Sequence, residues 1–247
     1  MGRPPLTRTL AGLFAGGALA AALGACGTDS VPNDADLIAG KKAFVKSCGA
    51  CHTLNRAGTK GVQGPNLDDA FRRALSDGFG RDTIRGVVYH QILHPARLSK
   101  NNPVFMPQAL VDGKLAKDVA AYVASVASLA GKDTGRLGSA VAAAGAGKPV
   151  AAKGGKLEMP ADPSGQLAYI TKVATAPAGA LEIDSKNASG TPHDIALEGN
   201  GVNEKGEIVQ NGGVSKITAN LKPGKYTYYC SVPGHREGGM EGKLTVK

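Results

Sequence analysis

The sequence predicts two domains, an all-α domain followed by an all-β sandwich or barrel. Three observations carry this. Val119, Tyr122, Val123 and Val126 recur at helical spacing. Residues 131–155 are rich in Gly, Ala and Lys and have no apolar period, as in a flexible linker. Beyond residue 156 the apolar positions alternate with period two, between turn signals such as Asn200-Gly201, Asn211-Gly212-Gly213 and Pro223-Gly224. With 4% aromatic residues, no Trp and 35 Gly in 247 residues, small domains are favoured over one large core. The expected divisions are 1–25, 26–34, 35–130, 131–155 and 156–247.

Residues 1–25 carry Arg3 and Arg8, then an apolar run from Leu10 to Leu23, then small residues. That is the layout of a secretory signal peptide, and the run is too short and Gly-rich for a spanning helix. It ends in Leu23-Gly24-Ala25-Cys26, which resembles the lipobox of bacterial lipoproteins. The resemblance implies that Cys26 is lipidated and that residues 26–34 are a polar tether. The expected location is therefore extracytoplasmic, on the periplasmic, outer face of the cell membrane.

A helix is expected to open near Asn33 or Asp34 and to run into Cys48-Gly49-Ala50-Cys51-His52. C-x-x-C-H reads as a c-type haem attachment site. Two thiols at this spacing each add to a vinyl group of one haem, and the His that follows sits under the iron. A zinc site would need a second ligand pair nearby, and a thioredoxin-like motif would sit in a βαβ pattern; neither is visible. Helical pieces are expected around Asp69–Leu75 and Thr83–Leu93, with a last helix from about Ala116 to Leu129. Three candidates exist for the second axial position: Met106, the His90/His94 pair four residues apart, or no protein ligand.

Residues 35–130 resemble a class I cytochrome c domain through Gly40 and Phe44, Cys48-x-x-Cys51-His52, Gly64-Pro65-Asn66-Leu67, Met106-Pro107 and the helix bearing Tyr122. The resemblance implies that the first and last helices cross with Gly40 and Phe44 against Tyr122. It also implies one covalent haem c, held by Cys48 and Cys51, with His52 and Met106 as axial ligands. A thioether opposite imidazole raises the reduction potential, which suits an electron carrier.

In the second half, strands are expected through Leu167, Tyr169, Thr171 and Val173, through Leu181 and Ile183, and through Ile195 and Leu197. Others run near Val214, Ile217 and Leu221, through Tyr226, Tyr228 and Cys230, and through Leu244 and Val246. Cys230, His235 and Met240 follow one another around a loop, and His193 comes from an earlier strand. A thiolate, two imidazoles and a weak thioether form the ligand set of a type 1 (blue) copper centre. Thr191-Pro192-His193, Gly224-x-Tyr226-x-Tyr228-x-Cys230 and Cys-x4-His-x4-Met resemble the cupredoxin family, with a ligand loop like those of rusticyanin and auracyanin. This implies a Greek-key sandwich with copper at one end. One departure is Asp194, where many cupredoxins have Asn, and it bears on the copper potential.

Net charge is +9, and +7 without Arg3 and Arg8. Residues 34–130 hold 13 Lys/Arg against 8 Asp, whereas residues 156–247 hold 10 of each sign. A basic haem-bearing half either steers toward an acidic partner or membrane surface or simply aids solubility. No basic cluster is interleaved with aromatics, so nucleic-acid binding is unsupported.

The expected function is single-electron transfer between haem and copper, without catalysis. The expected partners are a quinol-oxidising complex on the haem side and a terminal oxidase or reductase on the copper side. The alternative is the electron-entry subunit of a copper- or haem-dependent reductase or oxidase complex. Of five His, His52, His193 and His235 are assigned, which leaves too few for a three-histidine catalytic copper within the chain. A dinuclear copper centre would need a second thiolate beside Cys230, and one C-x-x-C-H excludes a dihaem peroxidase. Copper storage would not explain the haem.

Overall fold

The computed structural model describes residues 34–96 and 105–247. Cys26 and the signal-like segment lie outside the described residues.

Helix α1 spans Leu37–Ser47. The Asp36 carboxylate accepts from the amides of Ile38 (3.0 Å) and Ala39 (2.9 Å), capping the helix. The start is therefore later than Asn33 or Asp34, because Asp36 satisfies two amides that would otherwise be orphaned. After α1 come the two-residue strands β1 (Thr53–Leu54) and β2 (Thr59–Lys60), then α2 (Leu67–Ser76), α3 (Arg81–Leu93) and α4 (Gly113–Val126). Helices α1 and α4 cross at Gly40, where a Cβ would collide with the Asp118 carbonyl. Beside the crossing, the Phe44 and Tyr122 rings meet at 6.3 Å, in a core with Val45, Leu54, Val119 and Val123.

That core ends in a buried polar hub. Tyr122 donates to Asp133 Oδ2 at 2.8 Å, and Lys41 Nζ lies 3.0 Å from the same oxygen. Arg56 approaches Oδ1 at 3.7 Å, and Lys41 also donates to the Leu137 carbonyl at 2.7 Å. Residues 131–155 therefore begin tied to the helical domain. They form a helical turn α5 (Gly135–Gly138) and end in strand β3 (Val150–Ala151). The lack of apolar period hides this, since backbone pairing and the Lys41–Asp133 contact hold the segment.

The second domain adds β4 (Lys156–Glu158), β5 (Val173–Ala176), β6 (Gly179–Lys186), β7 (Ala196–Gly199), β8 (Val202–Lys205), β9 (Val214–Leu221), β10 (Gly224–Tyr229) and β11 (Glu241–Val246). One sheet runs in the order β3-β5-β11-β10-β7-β8 and the other in the order β4-β6-β9. Leu157, Met159, Ile183, Leu197, Tyr228 and Leu244 fill the space between them. The expected alternation through Val173 slips by one residue. Tyr169 and Thr171 are buried, but Val173 is 48% exposed and Ala174 turns inward. Thr171 Oγ1 causes the slip locally, accepting from the Val173 amide (3.3 Å) and donating to its carbonyl (3.1 Å). On β9, likewise, Val214 faces out while Ser215 and Ile217 face in.

The hub makes a stability prediction. Asp133→Ala strands the buried Lys41 ammonium and should cost about 3–5 kcal/mol in denaturant unfolding of the helical domain. Pairing it with Lys41→Met should recover much of that loss, because no unpaired charge then remains. A cost below about 1 kcal/mol for the single variant would refute the role given to the hub.

Candidate metal centres

The haem-attachment residues form one tight turn at the end of α1. The Cys48 carbonyl accepts from the amides of Cys51 (3.1 Å) and His52 (3.0 Å). Cys48 is buried and Cys51 half-buried. Burial pushes the Cys48 thiol up to about 12 and raises Cys51 as well. His52 Nδ1 lies 2.9 Å from the Pro65 carbonyl, which assigns it the proton and leaves Nε2 as the donor atom. Burial lowers the His52 pKa against the raising effect of that contact, so the ring is held neutral, as ligation requires. The glycine loop makes this possible. Gly64 donates to the Cys51 carbonyl at 2.7 Å, and a Cβ on Gly64 would press into the His52 ring. A Cβ on Gly61 would strike the Ala50 carbonyl. Two thiols and one oriented imidazole on one turn fit a covalent haem.

Met106 is half-buried and packs against the helical core, with Phe105 exposed beside it. His90 and His94 both point to solvent, their rings 5.1 Å apart.

The other centre lies at one end of the sandwich. His193 Nδ1 and His235 Nδ1 are 3.2 Å apart, and Cys230 Sγ is 3.9 Å and 3.5 Å from them. Among the described residues this is the one His/Cys/Asp/Glu group arranged to hold a metal ion. An ion about 2 Å from each imidazole nitrogen fits a triangle of this size. Met240 is fully buried in the same core as Cys230. The ligand loop is closed at its ends, since Cys230 N–H donates to the Met240 carbonyl (3.0 Å) and Met240 N–H to that of His235 (2.9 Å). His193 is fixed from the other side by a reciprocal backbone pair with Val209.

Burial lowers His193 to about 3, aided by the facing His235, and lowers His235 to about 4. Burial pushes the Cys230 thiol up to about 12. Both imidazoles are thus neutral near pH 7, while the thiol must lose its proton when it ligates. A soft thiolate and two imidazoles favour copper.

Asp194 completes the frame. Its carboxylate accepts from the Ser231 amide (2.6 Å) and hydroxyl (2.5 Å), tying the residue after His193 to the residue after Cys230. Its carbonyl accepts from the Tyr169 hydroxyl at 2.7 Å. Arg236, next to His235, pairs with Glu198 (2.6 Å) and Glu241 (3.1 Å) and lies over the Tyr229 ring. Neither clamp was identified from the sequence. Asp194 was noticed only as a departure, and Arg236 reads as an ordinary surface charge.

The haem-attachment turn and the copper-ligand loop meet at the domain boundary. Ala50, between the two haem-attachment cysteines, packs against the core of the β-sandwich. Gln63 Nε2 donates to the Pro233 carbonyl at 2.6 Å, two residues from His235.

A helical domain with a C-x-x-C-H turn, joined to a sandwich with a buried His2Cys group, defines a two-domain electron-transfer protein. Residues 37–127 match the cytochrome c family model, and residues 159–247 match that of the copper-binding proteins of the plastocyanin/azurin family. The chain therefore consists of a cytochrome c domain, which implies a covalent haem c, followed by a cupredoxin domain, which implies a type 1 copper. Similar solved structures include reduced auracyanin from Roseiflexus castenholzii, at 24% identity over 39% of this chain and 99% of that one, with a TM-score of 0.35. Auracyanin A from Chloroflexus aurantiacus is 22% identical over 40% of this chain and 100% of that one, with a TM-score of 0.33. A reduced amicyanin is 18% identical over 39% and 86% of the two chains, with a TM-score of 0.30. None of the curated proteins compared matches the chain.

Two predictions follow from these geometries. In the metal-free protein, His193 and His235 take up protons in the unfolded chain at a pH where the folded sites do not. Their contribution to stability is complete above about pH 6.5 and is lost as pH falls toward their folded values. Acidification from pH 7 to 5 should cost on the order of 2 kcal/mol per histidine in the cupredoxin transition. His193→Gln should roughly halve that slope; a flat profile would contradict the burial argument. Separately, Gly64→Ala should displace His52 and weaken haem ligation, seen as a shifted Soret band. An unaltered spectrum would show that the loop tolerates a side chain.

Proposed function

We propose that this protein is a membrane-tethered carrier passing single electrons between a c-type haem and a type 1 copper, and onward between respiratory or photosynthetic complexes. The observation that carries this reading is the contact of Ala50 with the cupredoxin core, which sets the haem-attachment turn against the copper domain. Haem iron and copper each supply a one-electron change without substrate chemistry. Cys48 and Cys51 would hold the haem covalently, and His52 and Met106 would ligate its iron. His193, Cys230 and His235 hold the copper, with Met240 as a weak fourth ligand. Asp194, Ser231 and Arg236 keep those ligands in place, so little rearrangement accompanies a change of charge.

The carrier reading, in place of an enzyme, is supported by the two domain families, and by a buried His2Cys group among the described residues. His90 and His94 are exposed and are not part of the His193–Cys230–His235 group, so they do not extend the copper site toward catalysis. The tether is Cys26, lipidated after removal of residues 1–25, which holds the protein on the periplasmic face of the membrane. Among the described residues no helix is long and apolar enough to cross a membrane. A quinol-oxidising complex is the proposed donor to the basic haem domain, and an oxidase or reductase takes electrons from copper.

Purified holoprotein should show a Soret band and an intense visible thiolate-to-copper charge-transfer band. Rapid mixing with a one-electron donor should bleach both. Cys230→Ser should abolish only the copper band, and Met106→Ala should alter only the haem spectrum. If copper stays oxidised while haem reduces, and a donor to copper likewise leaves haem oxidised, the carrier reading fails. Growth with labelled palmitate should label the wild type and not Cys26→Ala; an unlabelled wild type would remove the proposed anchor.

A further inference from the structure

We infer that Gln63 is a positioning residue that locks the haem-attachment turn onto the copper-ligand loop. This rests on the carrier reading above and adds the device that sets the distance between its two stations. Gln63 is one residue before Gly64, which backs the His52 ring. Its side-chain oxygen lies 3.8 Å from Cys51 Sγ, and its side-chain nitrogen donates to the Pro233 carbonyl at 2.6 Å. One amide therefore touches a haem-bearing cysteine at one end and the ligand loop, two residues before His235, at the other. Cys51 could contact a hydrocarbon here as well. A hydrocarbon at position 63 would offer no N–H to the Pro233 carbonyl.

The surroundings are shaped for close approach. Gly234, at φ +80°, brings the ligand loop to Gln63 and Val62, and a Cβ there would touch both side chains at 3.3 Å. Gly165, at φ +83°, lies where a Cβ would come within 2.9 Å of the Lys46 carbonyl. Both glycines belong to the cupredoxin domain, both adopt a backbone that disfavours side chains, and both face the end of α1 or its following loop. Together with Ala50 they make a small seam in which the Gln63–Pro233 hydrogen bond fixes the register. A single hydrogen bond contributes modestly to binding. Its orientation, in contrast, decides which atoms of the two loops lie nearest.

With haem and copper bound, the transfer it would serve is of one electron, the donor centre oxidised and the acceptor centre reduced by one, with no proton or bond exchanged. The test uses full-length holoprotein of wild type, Gln63→Leu and Gln63→Glu. Leucine removes the donor; glutamate places a carboxylate oxygen against the Pro233 carbonyl. The rate of internal electron transfer is measured after pulsed reduction of the haem, across protein concentrations. Amide hydrogen exchange is followed by mass spectrometry over residues 61–66 and 231–240, and both potentials are titrated.

Both variants should slow the concentration-independent transfer at least tenfold, and exchange in both segments should quicken. Absorption bands in both variants, and the potentials of the uncharged Gln63→Leu, should remain those of wild type. Wild-type rates in both variants would overturn the inference and leave the carrier reading standing. In Gln63→Leu, slower transfer with shifted potentials, or with unchanged exchange, would also overturn it, since Gln63 would then act on a centre rather than on docking. Absence of any concentration-independent phase in wild type would instead sink the carrier reading itself.

Discussion

The Cys48 carbonyl accepting the amides of Cys51 and His52 is the constraint on which the rest of this architecture depends. It folds two thiols and an imidazole onto one turn. That turn can exist only because α1 delivers it at a fixed angle, set by the Gly40 crossing, and because Gly61 and Gly64 allow a second loop to lie flat against it. The turn has two faces. Cys48, with Phe44 and Val45, belongs to the helical core, whereas Ala50 reaches into the cupredoxin core. Few residues separate a covalent cofactor site from a domain interface, so changes to one will be felt by the other.

The copper ligands show the same economy by a different route. Each of the three close ligands is buried and uncharged in the metal-free fold; the two imidazoles cost stability as the solution turns acidic, the thiol only as it turns alkaline. Backbone closure of the Cys230–Met240 loop and the Asp194–Ser231 pair hold the triangle without relying on the ion. Where an asparagine would offer one acceptor and one donor, the Asp194 carboxylate accepts both Ser231 hydrogens. The departure from the family pattern thus preserves the mechanical tie while changing its electrostatics.

Much of this was legible in the sequence because it obeys short-range rules. The C-x-x-C-H spacing, the helical repeat around Tyr122 and the alternation of Tyr226, Tyr228 and Cys230 each encode their geometry locally. The misses have physical causes as well. Val173 faces solvent because the Thr171 hydroxyl forces a one-residue slip that no hydropathy pattern records. The segment 131–155 looks unstructured because a buried ion pair and backbone pairing hold it, not apolar burial. Gln63 and Arg236 act through partners distant in sequence, and nothing local distinguishes them from ordinary surface residues.

The Lys41–Asp133 hub has a consequence for what happens when the seam between the domains opens. By securing Asp133 and the Leu137 carbonyl on one side, with Ala146 bridged to Thr171 on the other, it leaves only a short span free to act as a leash. A leash that short keeps each domain at an effective concentration on the order of millimolar with respect to the other. Undocked halves would therefore be recaptured readily, and an external protein competing for either inner face would have to outbid a partner that never diffuses away.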